Sequence, residues 1–173
     1  LIDLGKPKIM GILNLTPDSF YDGGRYNEVE SALKHADSMI EAGAHFVDLG
    51  ACSTKPGAKP VSVEVEKKRL LPVLEKLTKT YPKTHFSIDT FRSSIAAEAL
   101  DRGAAIINDI SGGQFDNKMM DTIGSYNVPY VLMHTSGKPE NMQKNPTYKN
   151  VVKEVVYYFS NKIQSAYKAG IND

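Results

Sequence analysis

Five strand-like segments, each followed by a helix-like segment, predict an α/β fold built on a parallel sheet. Each strand-like segment carries a polar residue near its end, namely Asn14, Asp48, Asp89, Asn108 and His134. In a (β/α)8 barrel the carboxyl ends of all the strands face one ligand site. The sequence therefore predicts an α/β fold of the (β/α)8 TIM barrel class, of which this chain supplies the first five βα units.

The predicted elements alternate along the whole chain. The strand-like segments cover residues 8–16, 44–51, 85–90, 104–110 and 128–135, and the helix-like segments cover 27–43, 62–80, 91–103, 116–127 and 148–169. The apolar stripe of the last helix-like segment is expected to face inward, and it comprises Val152, Val155, Phe159, Ile163 and Ala166.

A closed (β/α)8 barrel needs about 250 residues, whereas this chain has 173. We therefore expect residues 1–173 to form one barrel domain that is incomplete at its C-terminus. Five strands cannot close such a barrel, so strands one and five would be open edges. We expect the 173-residue chain by itself to be catalytically inactive for this reason. The alternative is a complete flavodoxin-like open sheet, in which only two or three loops reach the ligand.

Composition narrows the classes of function. Hydrophobic residues make up 41% of the chain and charged residues 24%, which is ordinary for a globular protein. The net charge of +1 gives no general attraction to nucleic acid or to an anionic membrane. No apolar run approaches the ~20 residues of a membrane span. The single cysteine, Cys52, excludes an internal disulfide and favours a reducing, cytoplasmic location.

The stretch from His85 to Gly113 is the most informative, because it is typical of a strand, a helix and a second strand. Asp89 lies at the end of the first strand and Asn108 at the end of the second. Neighbouring parallel strands lie ~4.8 Å apart, so the two side chains should lie close together. A carboxylate beside a carboxamide suits a flat nitrogen heterocycle with adjacent N–H and C=O groups. Alternatively, both side chains cap the strand ends by bonding nearby loop N–H groups.

Two loops rich in glycine and proline are predicted at the same edge of the sheet. Residues 16–24, TPDSFYDGG, have the composition of a mobile lid, and residues 53–58, STKPGA, combine hydroxyls, a turn and a cation as anion-binding loops do. Each loop can also be an ordinary solvated connection. The chain has no Walker A, GxGxxG, HExxH or GxSxG motif and no zinc-ligand spacing. His134 is the only histidine at a strand end, and whether it lines the site is left open.

Five motifs in fixed order carry a family resemblance. GILNLTPDSFYDGG, DLGACSTKPGA, SIDT, IINDISGG and VLMHTSGKPENMQ are spread over nearly the whole chain. In this order and spacing the chain resembles the dihydropteroate synthases, within the pterin-binding enzymes. The resemblance implies a (β/α)8 barrel that condenses 6-hydroxymethyl-7,8-dihydropterin diphosphate with 4-aminobenzoate. The products would be 7,8-dihydropteroate and diphosphate in folate biosynthesis, and sulfonamides would mimic the aminobenzoate.

The resemblance also assigns roles to residues. Asn14 matches an asparagine linked to Mg²⁺, and Thr54 matches a threonine that contacts the diphosphate. With Lys55, these residues are the expected catalytic set. Asp89 and Asn108 match pterin-binding residues. Three further candidates for substrate binding lie within the matching motifs, and they are Asp18, Met133 and His134. The family also implies a homodimer.

Two positions depart from the family pattern. Cys52 stands where the family loop has a carboxylate, and Lys55 stands where it has an arginine. Lysine keeps the charge but lacks the planar, bidentate fork, which bears on affinity for the second substrate. Two alternative functions follow. One is a methyltetrahydrofolate–corrinoid methyltransferase, which would need neither loop, and the other is a pterin-binding barrel without catalysis.

Overall fold

The computed structural model describes residues 5–16, 25–52, 61–135, 137 and 146–172, with side chains described from Val29 onward in the first helix. Within these residues strands and helices alternate as predicted. The elements in chain order are β1 (Met10–Asn14), α1 (Arg25–Glu41), β2 (Phe46–Gly50), α2 (Val63–Thr80), β3 (His85–Asp89), α3 (Ser93–Leu100), β4 (Ile106–Asp109), α4 (Met119–Tyr126), β5 (Tyr130–Leu132) and α5 (Val151–Lys168).

The strands form one parallel sheet in the order β1-β2-β3-β4-β5. Among the described residues, each strand therefore pairs with the next one in the chain, and no strand is inserted between them. This order confirms the barrel prediction, because a flavodoxin-like sheet has the order 2-1-3-4-5. Consecutive helices contact each other from α1 to α5, so they form a single layer. A doubly wound sheet would instead carry helices on both faces.

Side chains alternate between the two faces of the sheet. On the face that carries the helices, one row across the sheet is fully apolar and buried, and it comprises Leu13, Leu49, Ile88 and Ile107. On the opposite face the corresponding rows are polar toward the carboxyl ends of the strands. The apolar core thus lies between the sheet and the helices, and the polar face is left for a ligand.

The two outer strands are open edges, as expected. Ile12 of β1 is 65% exposed and Val131 of β5 is 43% exposed. Burying such side chains would stabilise the fold by about 1.5–3 kcal/mol each. The polar face is therefore flanked on both sides by apolar side chains that no described residue covers.

The expectation that the apolar stripe of α5 faces inward is wrong for two of its residues. Val152 is 69% exposed and Ile163 is 44% exposed, whereas Ala166 is buried. The physical reason is that α5 packs mainly through its C-terminal end. There the turn after the helix approaches α4 so closely that a Cβ at Gly124 would collide with the main-chain carbonyl of Ala169.

Candidate active site

One row of residues crosses the sheet at the carboxyl ends of its strands. Asn14 lies opposite Gly50, Gly50 opposite Asp89, and Asp89 opposite Asn108. A Cβ placed on Gly50 would lie 3.3 Å from Oδ2 of Asp89 and 3.5 Å from Oδ1 of Asn14. Because glycine adds no side chain here, Asn14 and Asp89 approach each other over it. The structure thus brings together three of the residues predicted from the sequence.

A second acidic residue, Asp48, lies on the same face of the sheet, nearer the amino ends of the strands. Asp48 precedes Gly50 by two residues in β2, and it is buried with 6% exposure. Its Oδ2 accepts a hydrogen bond of 3.0 Å from Nδ2 of Asn108, while its Oδ1 is buried without a hydrogen-bond partner. Asp48 was placed at a strand end from the sequence but was not among the predicted site residues. The available signal was a carboxylate inside an otherwise apolar strand.

Asp89 is electrostatically unusual. Its Oδ1 is buried and has no hydrogen-bond partner. Burial raises the pKa of Asp89 from 3.8 to about 7, with smaller contributions from the negative charges of Asp48, Glu66 and Asp109. Burial disfavours a lone carboxylate, and nearby like charges disfavour it further. A ligand that donates hydrogen bonds or carries positive charge would draw the proton off Asp89.

The site is therefore rich in oxygen acceptors, and its donors are the second N–H of the Asn108 amide and the proton of neutral Asp89. Asn108 uses its amide nitrogen on Asp48, which turns its Oδ1 away from that contact. Oδ1 of Asp48 and Oδ1 of Asp89 are two buried acceptors without a hydrogen-bond partner, so this part of the site is rich in hydrogen-bond acceptors. A ring edge that carries amino and N–H groups fits such a surface.

The alternative interpretation, in which a side chain at the strand end caps a loop, applies to Asp109 instead of Asp89 and Asn108. Asp109 is fully buried, and its carboxylate accepts hydrogen bonds from the main-chain N–H of Ser111 at 2.7 Å and of Gly113 at 2.8 Å. The hydroxyl of Tyr130 donates a third hydrogen bond to Asp109, of 2.6 Å. These bonds fix the loop after β4. Burial, followed by the negative charge of Asp109 and the hydrogen bond to it, raises the pKa of Tyr130.

A buried ion pair lies behind the site. Glu66 is 1% exposed and pairs with Nη1 of Arg92, and it also accepts a 2.7 Å hydrogen bond from Thr90. Burial raises the pKa of Glu66 despite these partners. Nη2 of Arg92 donates a 2.6 Å hydrogen bond to the carbonyl of Val61. The pair therefore joins the start of α2 to the end of β3, next to Asp89.

A second arginine, Arg69, contacts the main chain on the N-terminal side of residues 53–60. Nη1 of Arg69 donates a 3.3 Å hydrogen bond to the carbonyl of Ala51. Arg69 and Arg92 thus hold main-chain carbonyls on the two sides of that segment. Cys52 is buried beside it, and burial raises the pKa of its thiol. A raised thiol pKa opposes a role as nucleophile.

The other predicted residues either lie outside the described part of the chain or contact α5. Asp18, Thr54 and Lys55 lie outside the described residues, as do most of the two glycine- and proline-rich loops. Met133 is 37% exposed, and its carbonyl accepts a hydrogen bond from Tyr158 of α5. The ring of His134 packs edge-on against Tyr158, with 4.8 Å between ring centroids. The roles of Met133 and His134 in substrate binding stay predictions.

Two features are absent from the described part of the chain. It holds no group of three or more His, Cys, Asp or Glu residues that could bind a metal ion. It also has no helix with the length and apolar character needed to cross a bilayer.

The parallel sheet forms part of a barrel wall, and hydrogen-bond acceptors lie at the carboxyl ends of its strands. This combination suits the class of barrel enzymes that bind nitrogen heterocycles. Residues 10–173 match the sequence profile of the pterin binding enzymes. The chain belongs to that family.

Individual relatives share most of this chain. It is 42% identical to the dihydropteroate synthase of Bacillus subtilis over 168 residues, which are 97% of this chain and 56% of that protein. The Yersinia pestis dihydropteroate synthase, solved in complex with a sulfonamide drug, is 39% identical with a TM-score of 0.90, over 99% of this chain and 62% of that one. The Xanthomonas albilineans enzyme, solved with 4-aminobenzoic acid, is 38% identical with a TM-score of 0.89, over 99% and 60%. The chain thus spans about three fifths of the length of these relatives.

Proposed function

We propose that this chain belongs to a dihydropteroate synthase, which joins 6-hydroxymethyl-7,8-dihydropterin diphosphate to 4-aminobenzoate. The observation that carries the proposal is the row of Asn14, Asp89 and Asn108 at the carboxyl edge of the sheet. Its oxygen atoms suit the amino and N–H groups of a pterin ring. The family supports a pterin ligand, and the complexes of the Yersinia and Xanthomonas enzymes support 4-aminobenzoate as second substrate and sulfonamides as inhibitors.

The floor of the site would hold the ring and stabilise the charge that develops on it. When the C–O bond to the diphosphate breaks, the exocyclic carbon becomes electron-poor and the pterin ring delocalises the positive charge. A carboxylate held in a site of low dielectric stabilises that charge most strongly, because water does not screen it. Asp89 is the carboxylate so placed, and the drop of its pKa on contact with a cation would keep it ionised.

The second half of the reaction forms the new C–N bond. The amine nitrogen of 4-aminobenzoate attacks the electron-poor carbon and loses one proton, and diphosphate leaves with the electron pair of the broken C–O bond. No side chain has to become covalently attached to the substrate. This agrees with the buried, high-pKa thiol of Cys52 and with the lack of a nucleophile motif in the sequence.

Mg²⁺ is the cofactor that we propose. Asn14 fits a role in holding it, because its Oδ1 is a hard oxygen donor at the edge of the row. Mg²⁺ commonly takes only one or two protein oxygens and completes its shell with substrate phosphates and water. When bound, the ion would neutralise the charge of the leaving diphosphate. A homodimeric assembly and a cytoplasmic location complete the proposal.

The proposal is tested with purified full-length protein. Calorimetric titration with a 6-hydroxymethylpterin should show binding, and dihydropterin diphosphate with 4-aminobenzoate and Mg²⁺ should yield dihydropteroate and diphosphate in equal amounts. Pterin binding without product would instead identify a pterin-binding barrel without catalysis. Methyl transfer from methyltetrahydrofolate to a corrinoid, without dihydropteroate formation, would refute the proposed reaction.

A further inference from the structure

We infer that Asp48 is a positioning residue that fixes the amide of Asn108, so that the site selects a ring edge that donates hydrogen bonds. The inference rests on the proposed function, because the ring in question is the pterin. It adds to that function a residue outside the row of Asn14, Asp89 and Asn108, and it gives a reason for ligand specificity.

The geometry leaves Asn108 one orientation. Asp48 is buried within the sheet, and its Oδ2 lies 3.0 Å from Nδ2 of Asn108. A carboxylate carries only acceptors, so the amide nitrogen and not the amide oxygen must face it. The oxygen of Asn108 is thereby turned toward the rest of the polar face. An asparagine without this partner can rotate its amide and present either atom to a ligand.

Asp48 is costly for the fold, which argues that it serves the site. One of its two oxygens is buried without a hydrogen-bond partner. Leaving a buried polar atom unpaired is unfavourable, and an apolar residue would suit this position in a central strand better. Its strand neighbours Val47 and Leu49 are apolar and fully buried.

Such a surface distinguishes two rings of nearly the same shape. Pterin carries an amino group at position 2, whereas lumazine carries a carbonyl oxygen there. Amino hydrogens satisfy acceptors, but a carbonyl placed against them leaves acceptors facing one another. One such mismatch lowers affinity about tenfold. The ratio of pterin affinity to lumazine affinity therefore measures the orientation of the acceptors rather than the stability of the fold.

Two variants test the role of Asp48. In Asp48→Asn the residue that faces the Asn108 amide is no longer obliged to act as a hydrogen-bond acceptor. The Asn108 amide can then rotate, and the ratio of pterin affinity to lumazine affinity should fall about tenfold. In the reversed pair, Asp48→Asn with Asn108→Asp, the new amide can donate to the new carboxylate, whose second oxygen again accepts from the ring. The reversed pair should bring the ratio back to within about threefold of the original value, with the net charge unchanged.

The measurement is calorimetric titration of pterin and of lumazine at one pH, with urea unfolding of each variant. Ser87→Ala is the matched control, because Ser87 is equally buried in the next strand and its hydroxyl has no hydrogen-bond partner. Its ratio should equal that of the unsubstituted protein. An unchanged ratio in a folded Asp48→Asn variant would overturn the inference.

The remaining outcomes also decide the question. If Asp48→Asn does not fold, the reversed pair decides alone, since a restored ratio supports the inference and a collapsed ratio in a folded protein overturns it. If the unsubstituted protein binds no pterin at all, the proposed function fails and the inference fails with it. Pterin binding with no preference over lumazine leaves the proposed function standing and refutes the inference alone.

Discussion

Replacement of Asp89 by asparagine should stabilise the unliganded protein at alkaline pH. The pKa of Asp89 rises from 3.8 to about 7 on folding. Its neutral form is therefore favoured in the folded state, so the contribution of Asp89 to stability is complete below pH 3.8 and is lost as the pH rises through about 7. Asparagine resembles the neutral form at every pH, so the variant does not suffer this loss.

The magnitude follows from the two pKa values. Each pH unit between them corresponds to about 1.4 kcal/mol, which gives a limit of about 4 kcal/mol above pH 8. Partial exposure and relaxation of the site reduce this to about 2–4 kcal/mol. The stability of Asp89→Asn relative to the unsubstituted protein should therefore increase by that amount between pH 4 and pH 9.

The assay is urea unfolding at several pH values in buffer with a chelator, so that no divalent cation contributes. Ser87→Ala, a neutral change in the same strand, should keep the pH dependence of the unsubstituted protein. Parallel curves of stability against pH for Asp89→Asn and the unsubstituted protein would refute the reasoning. Pterin affinity should move the other way in the same variant, falling by about 2–4 kcal/mol because a charge-assisted hydrogen bond is lost.

Three further predictions concern the scaffold of the site. Arg92→Met leaves Glu66 as an unpaired buried charge and should lower the free energy of unfolding by about 3–5 kcal/mol, measured by urea titration. Tyr130→Phe removes one buried hydrogen bond and should cost about 1–3 kcal/mol in the same assay, whereas Tyr126→Phe, which loses an exposed one, should cost less than about 0.5 kcal/mol. Gly124→Ala should lower the melting temperature measured by circular dichroism, although alanine favours a helix, because its methyl group has no space beside the turn after α5.

The controls make these outcomes decisive. Lys79→Met breaks an exposed ion pair with Glu75, and it should cost less than about 1 kcal/mol. If Arg92→Met were equally mild, the ion pair behind the site would not hold this end of the sheet. Equal costs for the two tyrosine variants, or a melting temperature unchanged by Gly124→Ala, would show that the described contacts do not carry the stability assigned to them.

The order of the strands and the pairing of Asp89 with Asn108 could be predicted from the sequence alone. Short apolar segments that alternate with helix-like ones favour parallel neighbours, and each polar residue at a strand end is then placed at the same edge. Asn14 was placed correctly for the same reason. These predictions needed only the order of the elements and the directions of the strands.

The remaining features of the site depend on contacts between distant parts of the chain. Nothing near Glu66 in the sequence shows that it is buried against Arg92, which lies 26 residues further on. Asn108 lies in the site whereas Asp109 binds the loop after β4, and this difference depends on which side of the strand each side chain faces. The α5 stripe shows a different limit, because periodicity identifies the apolar face of a helix but not the residues that cover it.

The two arginine contacts beside residues 53–60 bear on how this protein can evolve. Arg69 and Arg92 donate hydrogen bonds to the main-chain carbonyls of Ala51 and Val61. A main-chain carbonyl is the same whatever side chain its residue carries. The nine positions between these anchor points, 52–60, can therefore change in sequence without altering either hydrogen bond. Cys52 and Lys55, which the family resemblance marks as departures from the usual loop sequence, both lie in that interval. For the proposed synthase, this anchoring would let the segment change its contacts with 4-aminobenzoate, or with a sulfonamide that imitates it, while the residues proposed to bind the pterin ring stay the same.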